Sequence, residues 1–155
     1  MEELGDGRTV HYSEGMFLGY RFYTSMNERP LFPFGFGLSY TNFAFSNLSV
    51  KKNPDYEVEV AFDVQNTGLR AGADVAQVYV GDPSAQVKRP LMELKQFSKV
   101  RLNPGEKRHI VLTLNKRAFS YYDVGAKDWR VDPGKFQIFV GDSSDAIALE
   151  QDLQL

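Results

Sequence analysis

From Thr41 onward the apolar positions recur every second residue, and glycine, proline, asparagine and aspartate separate the segments that carry this alternation. Tyr56, Val58, Val60, Phe62 and Val64 alternate with Glu57, Glu59, Ala61, Asp63 and Gln65, which predicts a strand with one buried and one wet face. Asn66-Thr67-Gly68 supplies a turn. Residues 73–81 are apolar on both faces, with Val75, Ala76, Val78, Tyr79 and Val80, as expected of a central strand closed by Asp82-Pro83-Ser84. A weaker strand-like stretch spans residues 91–100 and ends at Asn103-Pro104-Gly105. Ile110, Leu112 and Leu114 then alternate with His109, Val111 and Thr113. After a bend at Asp132-Pro133-Gly134, Phe136, Ile138 and Val140 alternate with Gln137 and Phe139, and Ile147, Leu149 and Leu153 mark a last short strand.

About seven strands with turn signals every 8–12 residues predict an all-β immunoglobulin-like or fibronectin type III-like sandwich over residues 41–155. No segment in that range carries a helical period. Residues 1–40 have a different texture, rich in glycine and aromatics and without a sustained period. Between Pro30 and Tyr40, two prolines and two glycines rule out a regular helix. So many rings in an irregular segment, including Tyr20, Phe32, Phe34, Phe36 and Tyr40, need a surface to pack against. Residues 1–40 are therefore expected to be a tail or linker from a preceding domain, with the folded module beginning near Thr41.

Composition narrows the function. The 155 residues contain 43% hydrophobic and 25% charged side chains, ordinary for one globular domain. There is no cysteine, hence no disulfide framework or thiolate metal site. A net charge of −2 with scattered basic residues argues against nucleic acid as a partner. No stretch has the length of a membrane span, and residues 1–7 hold no apolar run that would serve as a signal peptide.

Catalytic chemistry is not expected. Glu57, Glu59 and Asp63 form the wet face of a strand, and Asp82, Asp132 and Asp142 sit in turns where an aspartate bonds its own backbone. Glu14 lies among aromatics, which marks it as a candidate buried, paired or site-lining carboxylate. His11 and His109 lack metal-ligand spacing. Gly35-Phe36-Gly37-Leu38-Ser39-Tyr40 begins like a dinucleotide loop but lacks the third glycine, the preceding strand and the following helix, so no cofactor is expected. Asn47-Leu48-Ser49 satisfies the glycosylation sequon, a three-residue signal with meaning only in a eukaryotic secretory pathway. Trp129, with Tyr121, Tyr122 and Phe139, is a candidate platform for stacking on a sugar, set against the commoner role of such rings in packing one another.

The run from Leu31 to Phe43, Leu-Phe-Pro-Phe-Gly-Phe-Gly-Leu-Ser-Tyr-Thr-Asn-Phe, resembles the segment leading into the last domain of glycoside hydrolase family 3, the β-glucosidases and β-xylosidases. Residues 12–23 resemble the tail of that family's preceding α/β sandwich domain. Downstream, Val64-Gln65-Asn66-Thr67-Gly68, the stretch from Arg89 to Phe97, Leu102-Asn103-Pro104-Gly105-Glu106, and the stretch from Gly134 to Ser144 resemble its fibronectin type III-like domain, in the family's order. Phe36 departs from the histidine or tyrosine common at that position.

The resemblance implies a non-catalytic module, because the family's nucleophilic aspartate and general acid lie in domains this chain does not match. It implies the catalytic domains of a parent β-glucosidase or β-xylosidase as partners and a secreted or periplasmic setting. Tyr20, Phe32, Phe34, Phe36, Tyr40 and Trp129 are the candidate interdomain or carbohydrate contacts. The alternative function is a module that binds polysaccharide and anchors the enzyme to polymeric substrate.

Overall fold

A computed structural model describes residues 13–155, so His11 and Tyr12 lie outside the described residues. Seven long strands form two antiparallel sheets facing each other. The first sheet holds β1 (Phe43–Lys52), β2 (Val58–Asn66) and β5 (Lys107–Leu114), in the order β1-β2-β5. The second holds β3 (Gly72–Gly81), β4 (Glu93–Leu102), β8 (Lys135–Gly141) and β9 (Ile147–Gln154), in the order β4-β3-β8-β9. Two three-residue strands, β6 (Tyr121–Asp123) and β7 (Asp128–Arg130), pair as a separate ribbon. This is the expected sandwich.

The inner faces follow from the period-two pattern. Val58, Val60, Phe62 and Val64 of β2 meet Ala76, Val78 and Val80 of β3 and Phe136, Ile138 and Val140 of β8 in one buried cluster. Phe119 closes one end of it, edge-on to Phe136 at 5.4 Å. It is carried there by a single helical turn, α2 (Lys116–Phe119), whose first turn is capped by the Asn115 side chain accepting from the Arg117 N–H. One turn is too short to leave a period in the sequence.

β1 has a break in its pattern. Phe43 and Phe45 occupy one parity and Leu48 and Val50 the other, because the β1–β2 register shifts between Ser46 and Ser49. Asn47 stands at this bulge with φ of 58° and donates from its amide to Asp63 at 2.7 Å. The glycosylation-like triplet is thus the site of a strand irregularity.

Asn66 ties three connections together. Its side-chain oxygen accepts from Thr41 Oγ1 and the Gly68 N–H, and its amide donates to the carbonyls of Arg70 and Leu102. All of this happens with the residue fully buried. Each polar atom is satisfied, which makes its burial tolerable.

Residues 13–40 are not irregular throughout. A seven-residue helix, α1 (Tyr20–Met26), stands inside them and stops at Asn27, whose left-handed conformation returns its N–H to the carbonyls of the last turn. So short a helix is marginal in isolation, and packing holds it in place. Glu14, expected as a buried or site-lining carboxylate, is instead exposed in the turn at residues 13–16, where its backbone carbonyl accepts from Phe17.

Candidate functional site: an aromatic segment and a cationic groove

On β3 the residues opposite the core face, Gln77 and Tyr79, are also buried, because residues 13–40 cover them. Tyr20 packs its ring edge-on to Tyr79 at 5.9 Å and against Phe34 at 5.1 Å. Its hydroxyl accepts from the Leu94 N–H of β4 at 2.8 Å. Ser25 of α1 accepts from the Leu91 N–H at 3.1 Å. At the other end the Ser144 N–H donates to the Phe34 carbonyl at 2.8 Å.

Pro33, Phe34, Gly35 and Phe36 form a turn closed by the Phe36 N–H donating to the Pro33 carbonyl at 3.0 Å. Gly35 has φ of 85°, the conformation such a turn needs at its third position. A Cβ at Gly35 would run into the amide nitrogen of Gln77. That amide donates to the Asp142 carbonyl at 2.5 Å, and the Gln77 side-chain oxygen accepts from the Tyr79 hydroxyl. Burial raises the Tyr79 phenol well above its ordinary value. The hydroxyl therefore stays protonated as the donor.

Of the six candidate contact residues, Tyr20 and Phe34 are joined directly, and Phe32 lies against Phe36 at 5.4 Å. Phe32 and Phe36 remain largely exposed, as do Leu31, Leu38 and Tyr40, the last at 91% of its surface. The segment thus has two sides. Tyr20 and the Phe34–Gly35 backbone grip the sandwich, while Phe32, Phe36, Leu38 and Tyr40 face outward as a run of apolar side chains.

Trp129 is elsewhere, on the β6–β7 ribbon. It meets Tyr122 edge-on at 5.5 Å, and the Arg117 guanidinium lies over its ring, 3.0 Å from the centroid. Tyr121 turns its hydroxyl to Asp132, donating at 2.9 Å. Trp129 and Tyr122 border an open groove of about 650 Å³ whose other wall is built from Arg21, Lys88, Arg89, Glu93 and Lys95.

Within that wall Arg89 is nearly inaccessible, bridging Asp82 at 3.1 Å and Glu93 at 3.0 Å and donating to the Phe119 carbonyl at 3.2 Å. Glu93 also meets Lys95 at 3.3 Å and Arg21 at 3.4 Å. Burial pushes the Glu93 carboxyl up, but Lys95, Arg89 and Arg21 outweigh it and hold the group below its ordinary range. Lys95 is lowered by burial and by the neighbouring Arg89 and Arg21, against the pull of Glu93. The sequence pointed to Trp129 but not to these bases, which come from four separate segments; the adjacent pairs Lys88-Arg89 and Lys116-Arg117 were the local cues.

His109 lies on the wet face of β5 and bonds Asp63 at 2.7 Å. Among the described residues no group of three or more His, Asp or Glu side chains is placed to hold a metal ion. No helix among them is long and apolar enough to cross a membrane.

Residues 74–144 match the family described as fibronectin type III-like domain. Thermostable β-glucosidase B of Acetivibrio thermocellus is 46% identical over 154 residues, a match that takes in 97% of this chain and 20% of that protein. The crystal structure of a Bifidobacterium adolescentis GH3 β-glucosidase superposes with a TM-score of 0.92 at 41% identity, over 94% of this chain and 22% of that one. β-Glucosidase 3B from Thermotoga neapolitana does so with a TM-score of 0.87 at 38% identity, over 94% and 20%. The chain therefore spans about a fifth of the length of the relatives it matches.

Proposed function

Since this chain is a fibronectin type III-like segment of the kind found in glycoside hydrolase family 3 β-glucosidases, we propose that it serves as a non-catalytic accessory module of such an enzyme. On this reading it packs on the catalytic domains and stabilises or positions them. The observation that carries the proposal is the two-sided segment 13–40. One side is fastened to the sandwich by Tyr20, Ser25 and the Phe34 carbonyl, and the other offers Phe32, Phe36, Leu38 and Tyr40 to solvent. Contiguous exposed apolar side chains on a folded domain mark a contact surface. A segment fixed on one side and apolar on the other fits a seam between domains better than a loose tether. The functional boundary then lies upstream of α1, with residues 13–40 belonging to the module.

The test uses the polypeptide as it occurs in its source cells. Antibody to this chain is expected to detect a band several times larger than 17.6 kDa. In that protein, replacing Phe32, Phe36 and Tyr40 together by serine is expected to lower the melting temperature and glycosidase activity. The same replacements in the 155-residue chain alone should leave its stability nearly unchanged. A band at the chain's own size, or a full-length protein indifferent to the triple change, would sink the proposal.

A further inference from the structure

The groove beside Trp129 has an imbalance of charge that the accessory role does not use. Its lining carries five basic side chains and a single carboxylate, Glu93. That carboxylate is already shared among Arg21, Arg89 and Lys95, and Arg89 is further neutralised by Asp82. Arg117 and Lys88 have no carboxylate partner among the described residues; each lies instead over an aromatic ring, Trp129 and Phe17 respectively. The groove is concave, and its volume of about 650 Å³ falls in the range of small-molecule sites.

We propose that this groove binds the carboxylate of an acidic sugar, a uronic acid unit of a polysaccharide. Arg117 lies over the Trp129 ring, is exposed, and has no carboxylate partner among the described residues, so its guanidinium N–H groups can take a carboxylate in a fork. Lys88 supplies further positive charge to the lining, and clefts lined mainly by one sign of charge concentrate the opposite ion. Tyr122 and Trp129 add apolar edges against which a pyranose ring can rest. A neutral glucan would leave the surplus of positive charge unmet.

The choice of a sugar over other carboxylates rests on the glycosidase reading above, whereas the charge argument does not. The apolar run at Phe32 to Tyr40 is the surface suited to a protein partner, and the groove is set apart from it on the ribbon side.

The test is calorimetric titration of the 155-residue chain with the trisaccharide of galacturonic acid, with cellotriose and a glutamate-rich peptide as comparisons. The galacturonate trisaccharide is expected to bind saturably and cellotriose not at all. Arg117→Ala should weaken binding about tenfold, the effect of removing a charged hydrogen-bond partner. Lys88→Gln should weaken it less, and Arg117→Lys should fall between Arg117→Ala and the parent chain. Both positions are exposed, and unchanged melting temperatures would exclude misfolding as the cause. Equal binding of cellotriose, tighter binding of the peptide than of the sugar, indifference to both Arg117→Ala and Lys88→Gln, or no binding of any probe would each overturn the proposal. Absent sugar binding together with a full-length protein still sensitive to the Phe32, Phe36 and Tyr40 change would defeat this inference and leave the accessory role standing.

Discussion

From Ala76 to Gly81 both faces of β3 are shut off from water, one by a second sheet and the other by a single segment containing two turns of helix. Val78 and Val80 point into a cluster fed by residues of both sheets, where contact is apolar, non-directional and spread over many side chains. Gln77 and Tyr79 point the other way, into a cover held by a few directed contacts: Tyr20 on Tyr79 and the Leu94 N–H, Ser25 on the Leu91 N–H, and the Phe34 carbonyl on Ser144. The first face tolerates small adjustments of side chains and fails gradually. The second depends on a handful of positions, and a single misplaced atom can lift the cover from a large area.

The inner face should show the largest single effect. Phe62→Ala removes a fully buried ring from the centre of the cluster and is expected to cost about 3–5 kcal/mol in urea unfolding. A loss below about 1 kcal/mol would mean that the cluster is not the main source of stability. Next comes the outer face as a whole. A chain starting at Thr41 should fold with the same strands but lose roughly 3 kcal/mol, from the exposure of the Tyr79 ring and the loss of hydrogen bonds to α1. Equal stability of the two chains would show that the segment is a passenger and restore a boundary at Thr41.

Gly35→Ala sharpens the contrast further. The substitution adds one methyl group, which on the inner face is a small change, yet here it meets both a left-handed backbone and the Gln77 amide. A loss of about 2 kcal/mol is expected, and in the chain starting at Thr41 the position no longer exists, so the two effects should not add. The cheaper readout is limited proteolysis, with cleavage in residues 13–40 becoming faster while the sandwich stays protected. Unchanged protection of the segment would mean that the turn is not what fastens it.

The same contrast explains what was legible in the sequence. β2, β3, β5 and β8 were predictable because alternate apolar residues on one strand need no knowledge of the rest of the chain. β1 was less distinct because the bulge at Asn47 swaps the parity of its apolar residues midway. The turn at Pro33 to Phe36 could be read from its proline and glycine, but not its landing place, since Phe34 and Ser144 are distant in the sequence and meet only in the fold. α1 was hidden by its length. At the groove, Trp129 stood out as the one tryptophan, whereas its partner Arg117 and the surplus of positive charge arise only when separate segments are brought together.

A third face tests whether cover is needed at all. The outer side of the β1-β2-β5 sheet faces water at Asp63, where only charges and hydrogen bonds act. The His109 hydrogen bond, the Asn47 amide and the nearby Lys107 together hold the Asp63 carboxyl below its ordinary value. A carboxyl lowered in the folded state contributes stability that is fully present above its unfolded value, about 3.9. That contribution is lost as pH falls through the lower, folded value. Asp63→Asn should therefore cost little at neutral pH, because the charged partners His109 and Lys107 are exposed and screened by water. It should also flatten the decline in stability below about pH 4 relative to the parent chain. Urea midpoints across that range decide it. Parallel acid limbs for the two proteins would mean that the interaction persists or is absent in folded and unfolded states alike. A wet face of this sheet would then contribute nothing that distinguishes it from the unfolded chain.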